Sequence, residues 1–163
     1  MGLDRAYLKS IELATKEHIG WLADNNIITQ ANLDAILDRI GDADMILSYP
    51  DVDPRRKRRR WISRSFVILL NILFGVRLRY YTGPCIYRAE AAKGLRTIAQ
   101  GSMMVPELLI RLLKQGQSFI EVDIHPKART AGKTKTFRIS NIVYVASSVL
   151  MLWLDIQVPG FFR

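Results

Sequence analysis

The sequence has little cysteine, no long apolar run and no recognisable secretion signal. Its single cysteine, Cys85, excludes a disulfide framework and a zinc site built from several thiolates. The longest nearly uncharged apolar runs, residues 65–76 and 139–154, are shorter than the ~20 residues that a membrane-spanning helix requires. The chain opens with Met-Gly-Leu-Asp-Arg, without a basic segment followed by an apolar one. These absences predict a reduced protein that faces the cytosol.

The sequence lacks the residues that two common classes of enzyme need. The two histidines, His18 and His125, do not have the spacing of a metal-binding pair, and we interpret both as structural. No Ser, His and Asp set for nucleophilic catalysis is visible either. The sequence therefore gives no support to a zinc enzyme or to a hydrolase.

Positive charge is concentrated in two clusters. The 24 Lys and Arg against 15 Asp and Glu give a net charge of +9. Residues 1–50 contain 4 cations and 8 acids, and residues 51–163 contain 20 cations and 7 acids. Seven cations lie within residues 54–64, and five more lie between Lys127 and Arg138. The clusters favour an anionic partner, namely a phosphate ester, nucleic acid or an anionic membrane surface, over a solvated basic face.

The length of 163 residues, of which 49% are apolar, predicts one compact domain. The periodicity of the apolar residues predicts that this domain contains both helices and strands. Apolar residues recur at helical intervals in six segments, which are residues 3–16, 29–40, 58–74, 89–99, 106–115 and 137–154. Short apolar or alternating runs predict five strands, which are residues 19–23, 44–49, 76–81, 84–88 and 118–124. The alternation of helix and strand in the first fifty residues is typical of a largely parallel sheet with helices on its faces.

Two groups of residues suit phosphate chemistry in the first half of the chain. Asp24 follows a predicted strand, where a carboxylate can hold a divalent cation that bridges phosphates, although an ordinary turn is favoured in isolation. Arg59 and Ser63 share one face at the basic start of the helix at 58–74, which favours a phosphate site or a polybasic membrane anchor. The rest of that helix is apolar almost all round, which is typical of a helix that is deeply buried or docked on an apolar surface.

Two further groups lie in the second half. The loop of Arg129, Lys133 and Lys135 contains hydroxyls and a glycine and can fold over a phosphate, or it is an ordinary surface loop. Glu107 lies in the first turn of an apolar helix. It is either a carboxylate that faces a cleft or a charge that complements the helix dipole.

Taken in order, these segments resemble the family 2 glycosyltransferases, in particular the branch of polyprenyl-phosphate sugar transferases. The resemblance runs from Ala6 to about Ile142. Its most specific part is a helix with Pro-Glu-Leu-Leu at 106–109, then Phe-Ile-Glu-Val-Asp-Ile at 119–124, then Arg-x-x-Gly-Lys-Thr-Lys at 129–135.

The resemblance implies the C-terminal portion of a GT-A type α/β fold, with a mixed, mostly parallel sheet and flanking helices. Residues 1–142 would form a partial glycosyltransferase domain without the family's N-terminal nucleotide-binding half, and residues 143–163 would form an apolar helix and tail. The implied activity is transfer of a sugar from a nucleotide-sugar to an acceptor such as a polyprenyl phosphate or another membrane-associated molecule. The implied location is the cytoplasm, peripheral to the inner face of the membrane.

The resemblance also implies roles for single residues. Asp24 and Asn26 would bind Mg²⁺ or Mn²⁺, although Leu22 stands where the family has the first aspartate of its metal motif. Asp24 and Glu107 would be catalytic. The residues expected near phosphates are Arg59, Ser63, Arg129, Lys133 and Lys135. Those expected near the sugar are Gly83 and Tyr87.

Two alternatives stay open on the sequence. One is a non-catalytic, truncated paralogue that acts as a basic membrane-associated module. The other is nucleic-acid binding through the arginine run, which is disfavoured because aromatic residues are not interleaved with the basic loop.

Overall fold

The computed structural model describes residues 3–22, 28–51, 57–99, 101–125 and 139–158. In these ranges the α-helices are α1 Leu3–Leu13, α2 Gln30–Leu37, α3 Lys57–Phe74, α4 Ala89–Ala92, α5 Met104–Lys114 and α6 Ile139–Gln157. The strands are β1 His18–Trp21, β2 Met45–Pro50, β3 Cys85–Arg88 and β4 Phe119–Ile124. A short 3-10 turn, Gly101–Met103, leads into α5.

The four strands form one mixed sheet in the order β1-β3-β2-β4. The strand β2 pairs in parallel with β4, and β3 pairs antiparallel with both β1 and β2. Three strands therefore run in one direction, and β3 runs between two of them in the opposite direction. The α/β class and a mixed sheet with flanking helices are confirmed. One of the three described strand pairs is parallel and two are antiparallel, because β3 lies between β1 and β2 and runs against both.

The sheet is covered on both faces, as its continuous apolar strands predict. Met45 and Leu47 point into the main core, which also contains side chains from α1, α3, α5 and α6. Ile46 points the other way, into a smaller core with Ile36 of α2. This alternation follows from the two-residue period of a strand. Because both faces are covered, the ends of the strands are the part of the sheet where a ligand site can form.

The helix α3 has one buried side and one exposed side. Leu70 and Phe74 lie in the main core, whereas Ile68 and Ile72 are exposed. Gly75 ends the helix with a positive φ of 61°, a conformation that glycine adopts without strain. Of the two interpretations of this helix, deep burial is wrong along the side that carries Ile68 and Ile72.

Two sequence predictions are wrong for physical reasons that a local pattern does not contain. Residues 76–81 form no strand, because the Asn71 side chain binds both backbone groups of Leu78 (Nδ2 to O 2.8 Å, Oδ1 to N 3.1 Å) and folds the segment against α3. The helix predicted at 89–99 ends at Ala92, because the chain turns at Gly94 with a positive φ of 75°, and residues 95–99 form neither helix nor strand.

The helix α6 belongs to the same core as the sheet. Val149 and Leu152 are buried in the main core, and the boundary that we predicted at residue 142 falls inside this helix. Within the residues that the structure describes, no helix combines the length and the apolar character needed to cross a bilayer.

Candidate functional site

The three co-directional strands end at one edge of the sheet, where ligands bind in open α/β folds. The strand β2 ends at Pro50 and is followed by Asp51, and β4 ends at Ile124 and is followed by His125. The strand β1 ends at the same edge, and the predicted metal ligands Asp24 and Asn26 follow it but lie outside the described residues.

His125 and Asp51 form a pair at this edge. The imidazole Nδ1 donates to the Asp51 carboxylate at 2.8 Å, while 72% of the His125 side chain stays exposed. The Asn32 side chain fixes the His125 backbone by accepting from its N–H (3.1 Å) and donating to its carbonyl (3.0 Å). An imidazole beside a carboxylate at such an edge can move a proton or help to bind a cation. Its spacing from His18 predicts a structural role for His125, whereas its position directly after a strand is the signal that indicates a site.

The hydrogen bond to Asp51, with the charge of the same carboxylate, raises the pKa of His125 above its usual value. The folded-state pKa is the higher one, so the charged pair is fully formed below the ordinary histidine pKa and is lost as the pH rises through the raised value.

An open cleft of about 710 Å³ lies against this edge. Its lining comes from the end of β2, the first turns of α3 and the segment before β3. The lining residues are Tyr49, Pro50, Asp51, Lys57, Arg60, Trp61, Ser63, Arg64, Val67, Arg79 and Tyr80. Four of them are cations and one is an acid, so the cleft is a net positive site with aromatic walls. That combination suits a phosphate-bearing ligand.

Contacts with residues that are distant in the sequence hold Arg79 in place in this cleft. Its guanidinium carbon lies 4.6 Å from the centre of the Tyr49 ring, in a cation–π contact. The Arg79 backbone N–H donates to Glu121 at 2.7 Å, and the Arg79 Nε lies 3.6 Å from the same carboxylate. An exposed ion pair stabilises little by itself. The stacked and tethered guanidinium is nevertheless oriented before a ligand arrives.

The helix phase decides which cations of α3 reach the cleft. Ser63, one of the predicted phosphate contacts, lines it, and so do Arg60 and Arg64 at i and i+4. Arg59 is outside the lining set, although it shares a side of the helix with Ser63 at i+4. The predicted loop cations Arg129, Lys133 and Lys135 lie outside the described residues.

The two residues predicted near the sugar lie at opposite ends of β3. Gly83 precedes the strand at the cleft edge, whereas Tyr87 pairs with Ile19 and Met45 at the other end, roughly 13 Å away at ~3.3 Å per residue. The Tyr87 side chain is fully buried and its hydroxyl binds that of Tyr7. Burial raises the pKa of the Tyr87 phenol. The structure thus gives Tyr87 a place in the core, and a sugar contact stays a prediction.

Only glycine fits at position 83, because the backbone of Ser48 lies too close for a side chain. A Cβ at this position would overlap the carbonyl oxygen of Ser48 and lie 2.8 Å from its Oγ. Ser48 is itself fixed, because its Oγ donates to the Pro84 carbonyl at 2.7 Å and its N–H donates to the same oxygen at 3.1 Å. The close approach of two chain segments explains this glycine without reference to a sugar.

Glu107 is completely buried, and both of its carboxylate oxygens are engaged. They accept from the N–H groups of Ile98 (2.9 Å) and Ala99 (2.6 Å) and from the Arg111 Nε (2.8 Å). Arg111 in turn donates to Asp155 of α6 at 2.7 Å. The carboxylate therefore joins α5 to the 98–99 backbone and, through Arg111, to α6. The geometry is that of a positioning group, and direct participation in catalysis stays a prediction.

Cys85 adds no chemistry to the edge. The thiol is buried at the start of β3, and burial raises the pKa of Cys85 to about 12. A thiol with so high a pKa is not a nucleophile at neutral pH. Among the described residues, no group of three or more His, Cys, Asp or Glu side chains is arranged to hold a metal ion.

This sheet, with its reversed strand between two co-directional ones and helices on both faces, matches part of a GT-A type glycosyltransferase fold. The predicted fold class is thereby confirmed. No protein-family model matches the sequence, and no curated protein matches it.

Two solved structures share the fold, both of glucosyl-3-phosphoglycerate synthase from Mycobacterium tuberculosis. The complex with UDP superposes with a TM-score of 0.66 at 14% sequence identity. The complex with Mn²⁺, UDP-glucose and phosphoglyceric acid superposes with a TM-score of 0.61 at 15% identity. Each match covers 99% of this chain and 57% of the other, so the chain spans little more than half the length of these proteins. Similarity at this identity establishes the fold alone.

Proposed function

We propose that this chain forms the acceptor-binding side of a glycosyltransferase that transfers a sugar from a nucleotide-sugar to a phosphate-bearing acceptor. The proposal rests on the cleft, whose lining contains four cations and one carboxylate. The reaction class is supported by the shared fold, because the two similar structures contain UDP or UDP-glucose.

The cleft has the groups that such an acceptor needs. The guanidinium groups of Arg60, Arg64 and Arg79 present paired N–H donors that match the oxygens of a phosphate. They would hold the acceptor in a fixed orientation, which lowers the entropic part of the barrier. If a phosphate oxygen is the nucleophile, it is already negatively charged and needs no strong general base. Among the described residues that line the cleft, Asp51 is the one carboxylate, which is consistent with a reaction that needs no strong general base.

A divalent cation belongs to the proposal through the residues that follow β1. Asp24 and Asn26 offer a carboxylate and an amide oxygen, which are ligands that Mg²⁺ and Mn²⁺ prefer. Asp51 and His125 offer further donors at the same end of the sheet, after the strands β2 and β4. A bound cation would neutralise the charge that develops on a leaving diphosphate. One similar structure contains Mn²⁺.

The finer part of the proposal is that the acceptor is a lipid phosphate, such as a polyprenyl phosphate, taken from the inner face of the membrane. Trp61 supports it, because this residue lines the cleft and 70% of its surface is exposed. If a lipid phosphate bound in the cleft, the apolar tail attached to the phosphate would contact the Trp61 indole. The alternative acceptor is a small soluble phosphate, by analogy with the phosphoglyceric acid of the similar structure.

Replacing Arg64 by alanine tests the acceptor site. We expect calorimetric affinity for geranyl phosphate to fall about tenfold, the effect of one lost charged hydrogen bond. Arg58→Ala is the matched control, since Arg58 is an exposed cation of the same helix outside the cleft lining, and affinity should stay within twofold. Equal losses in both variants would show that only net charge matters. Tighter binding of 3-phosphoglycerate than of geranyl phosphate would overturn the lipid part and leave the phosphate site standing.

Titration with UDP-glucose in the presence of Mn²⁺ tests the donor side separately. We expect binding that requires Mn²⁺ and is lost in Asp24→Ala, because the cation would bridge Asp24 to the diphosphate. Chelation by EDTA should give the same loss in the unaltered chain. Phosphate binding in the cleft without any UDP-glucose binding would contradict catalysis by this chain and favour the non-catalytic, membrane-associated module.

A further inference from the structure

The exposed side of α3 is an apolar stripe. Trp61, Ile68 and Ile72 are 70%, 56% and 75% exposed. They occupy positions i, i+7 and i+11, which lie on one side of a helix. Leu69 flanks them and is also exposed. Single exposed apolar residues are ordinary, but a row of this length marks a contact surface.

The charge around the stripe indicates which kind of partner the stripe binds. The 18 residues of α3 contain five cations and no acid. Arg58 is exposed and lies on the stripe's side, one turn before Trp61. The α3 helix of a second copy of this chain would offer no acidic residue to balance these cations. An anionic surface that also accepts aliphatic and indole side chains has both of the properties that this helix complements.

The neighbouring helix also has exposed apolar residues. The helix α6 exposes Ile142, Val143 and Leu150. Its one charged residue, Asp155, is paired with Arg111. The two helices contact each other, so α3 does not present its stripe from an isolated element.

We propose that α3 lies along the surface of an anionic lipid membrane. Ile68 and Ile72 enter the boundary between headgroups and acyl chains, and Arg58 contacts lipid phosphates at the basic end of the helix. Trp61 belongs both to this stripe and to the cleft lining, so docking sets the cleft beside the headgroups. The docking itself does not require sugar transfer. Only the delivery of a lipid phosphate to the cleft rests on the proposed function.

Vesicle sedimentation with the double variant Ile68→Gln, Ile72→Gln tests the surface. On phosphatidylcholine vesicles with 30% phosphatidylglycerol, we expect the partition coefficient to fall at least tenfold. Leu13→Gln is the matched control, because Leu13 is 66% exposed at the end of α1, and its partition should stay within twofold. The urea midpoints of all three proteins should agree, since the altered side chains are exposed. Equal partition of the double variant and the unaltered chain overturns the proposal.

Arg58→Ala tests the electrostatic half. We expect about fivefold weaker partition on the anionic vesicles, with soluble-phosphate binding in the cleft unchanged. This pairing of results separates failure of the docking surface from failure of the acceptor site. Equal binding to vesicles of phosphatidylcholine alone overturns the requirement for anionic lipid. A concentration-dependent dimer that the double variant abolishes, without any loss of vesicle binding, assigns the stripe to a second copy and also overturns the proposal.

Discussion

Replacing Glu107 by alanine is expected to lower the free energy of unfolding by about 3–5 kcal/mol. The change leaves the buried N–H groups of Ile98 and Ala99 without their acceptor, and Arg111 keeps Asp155 but loses Glu107 as a partner. Each unsatisfied buried donor costs about 1–3 kcal/mol, and the broken part of the ion-pair network adds to that cost. Urea unfolding followed by circular dichroism measures the effect as a shift of the midpoint.

Glu90→Ala is the matched control for this prediction. Glu90 is an exposed glutamate of α4 that pairs with Lys93 at i+3, so its loss should change stability by less than about 0.5 kcal/mol. A Glu107→Ala protein with an unchanged midpoint and no transfer activity would contradict the positioning role. It would return Glu107 to the catalytic role that the family resemblance implies.

Gly83→Ala is expected to destabilise the protein by about 1–3 kcal/mol, the range found when a side chain is forced into filled space. The added methyl group meets the Ser48 carbonyl oxygen, and backbone cannot move aside as the end of a flexible side chain can. The strain falls where the segment before β3 crosses β2, next to Tyr49 of the cleft. Thermal unfolding gives the change in stability, and the geranyl phosphate titration gives the change in the cleft.

Gly20→Ala separates this steric effect from a general effect of replacing glycine in the sheet. A Cβ at Gly20 would lie 3.5 Å from the Cys85 carbonyl oxygen and 3.6 Å from the Ile86 Cγ1, which are ordinary contacts. We expect stability to stay the same or to rise slightly, because alanine loses less backbone entropy on folding. Equal losses in Gly20→Ala and Gly83→Ala would show that the approach to Ser48 is not the cause.

Helices and strands with a clear apolar period were predictable from the sequence. The patterns of α2, β2, α5 and β4 gave elements within a few residues of the observed ones, because burial on one face or both leaves a local record. The strand order left no such record. Nothing in Cys85–Arg88 distinguishes a strand that separates two others from one that lies at the side of the sheet.

The site was predictable only where its chemistry lay on one helix. The phase of α3 pointed to Ser63, but it also favoured Arg59 over Arg60, because spacing shows which residues share a side of a helix and not which side faces the cleft. Arg79 and His125 were missed because their partners Glu121 and Asn32 are 42 and 93 residues away in sequence. Burial of Glu107 depends in the same way on backbone groups that precede α5.

The place of β3 also decides how β1 and β2 are linked in the sheet. In the described part of the chain, β1 has one neighbour, and both neighbours of β2 follow residue 84. Among the described residues up to 84, β1 and β2 therefore have no strand with which they pair in the folded sheet. An isolated strand is not stable in water. The link between β1 and β2 thus depends on Cys85–Arg88, and a change that prevents this four-residue segment from forming a strand would detach β1 from the rest of the described sheet.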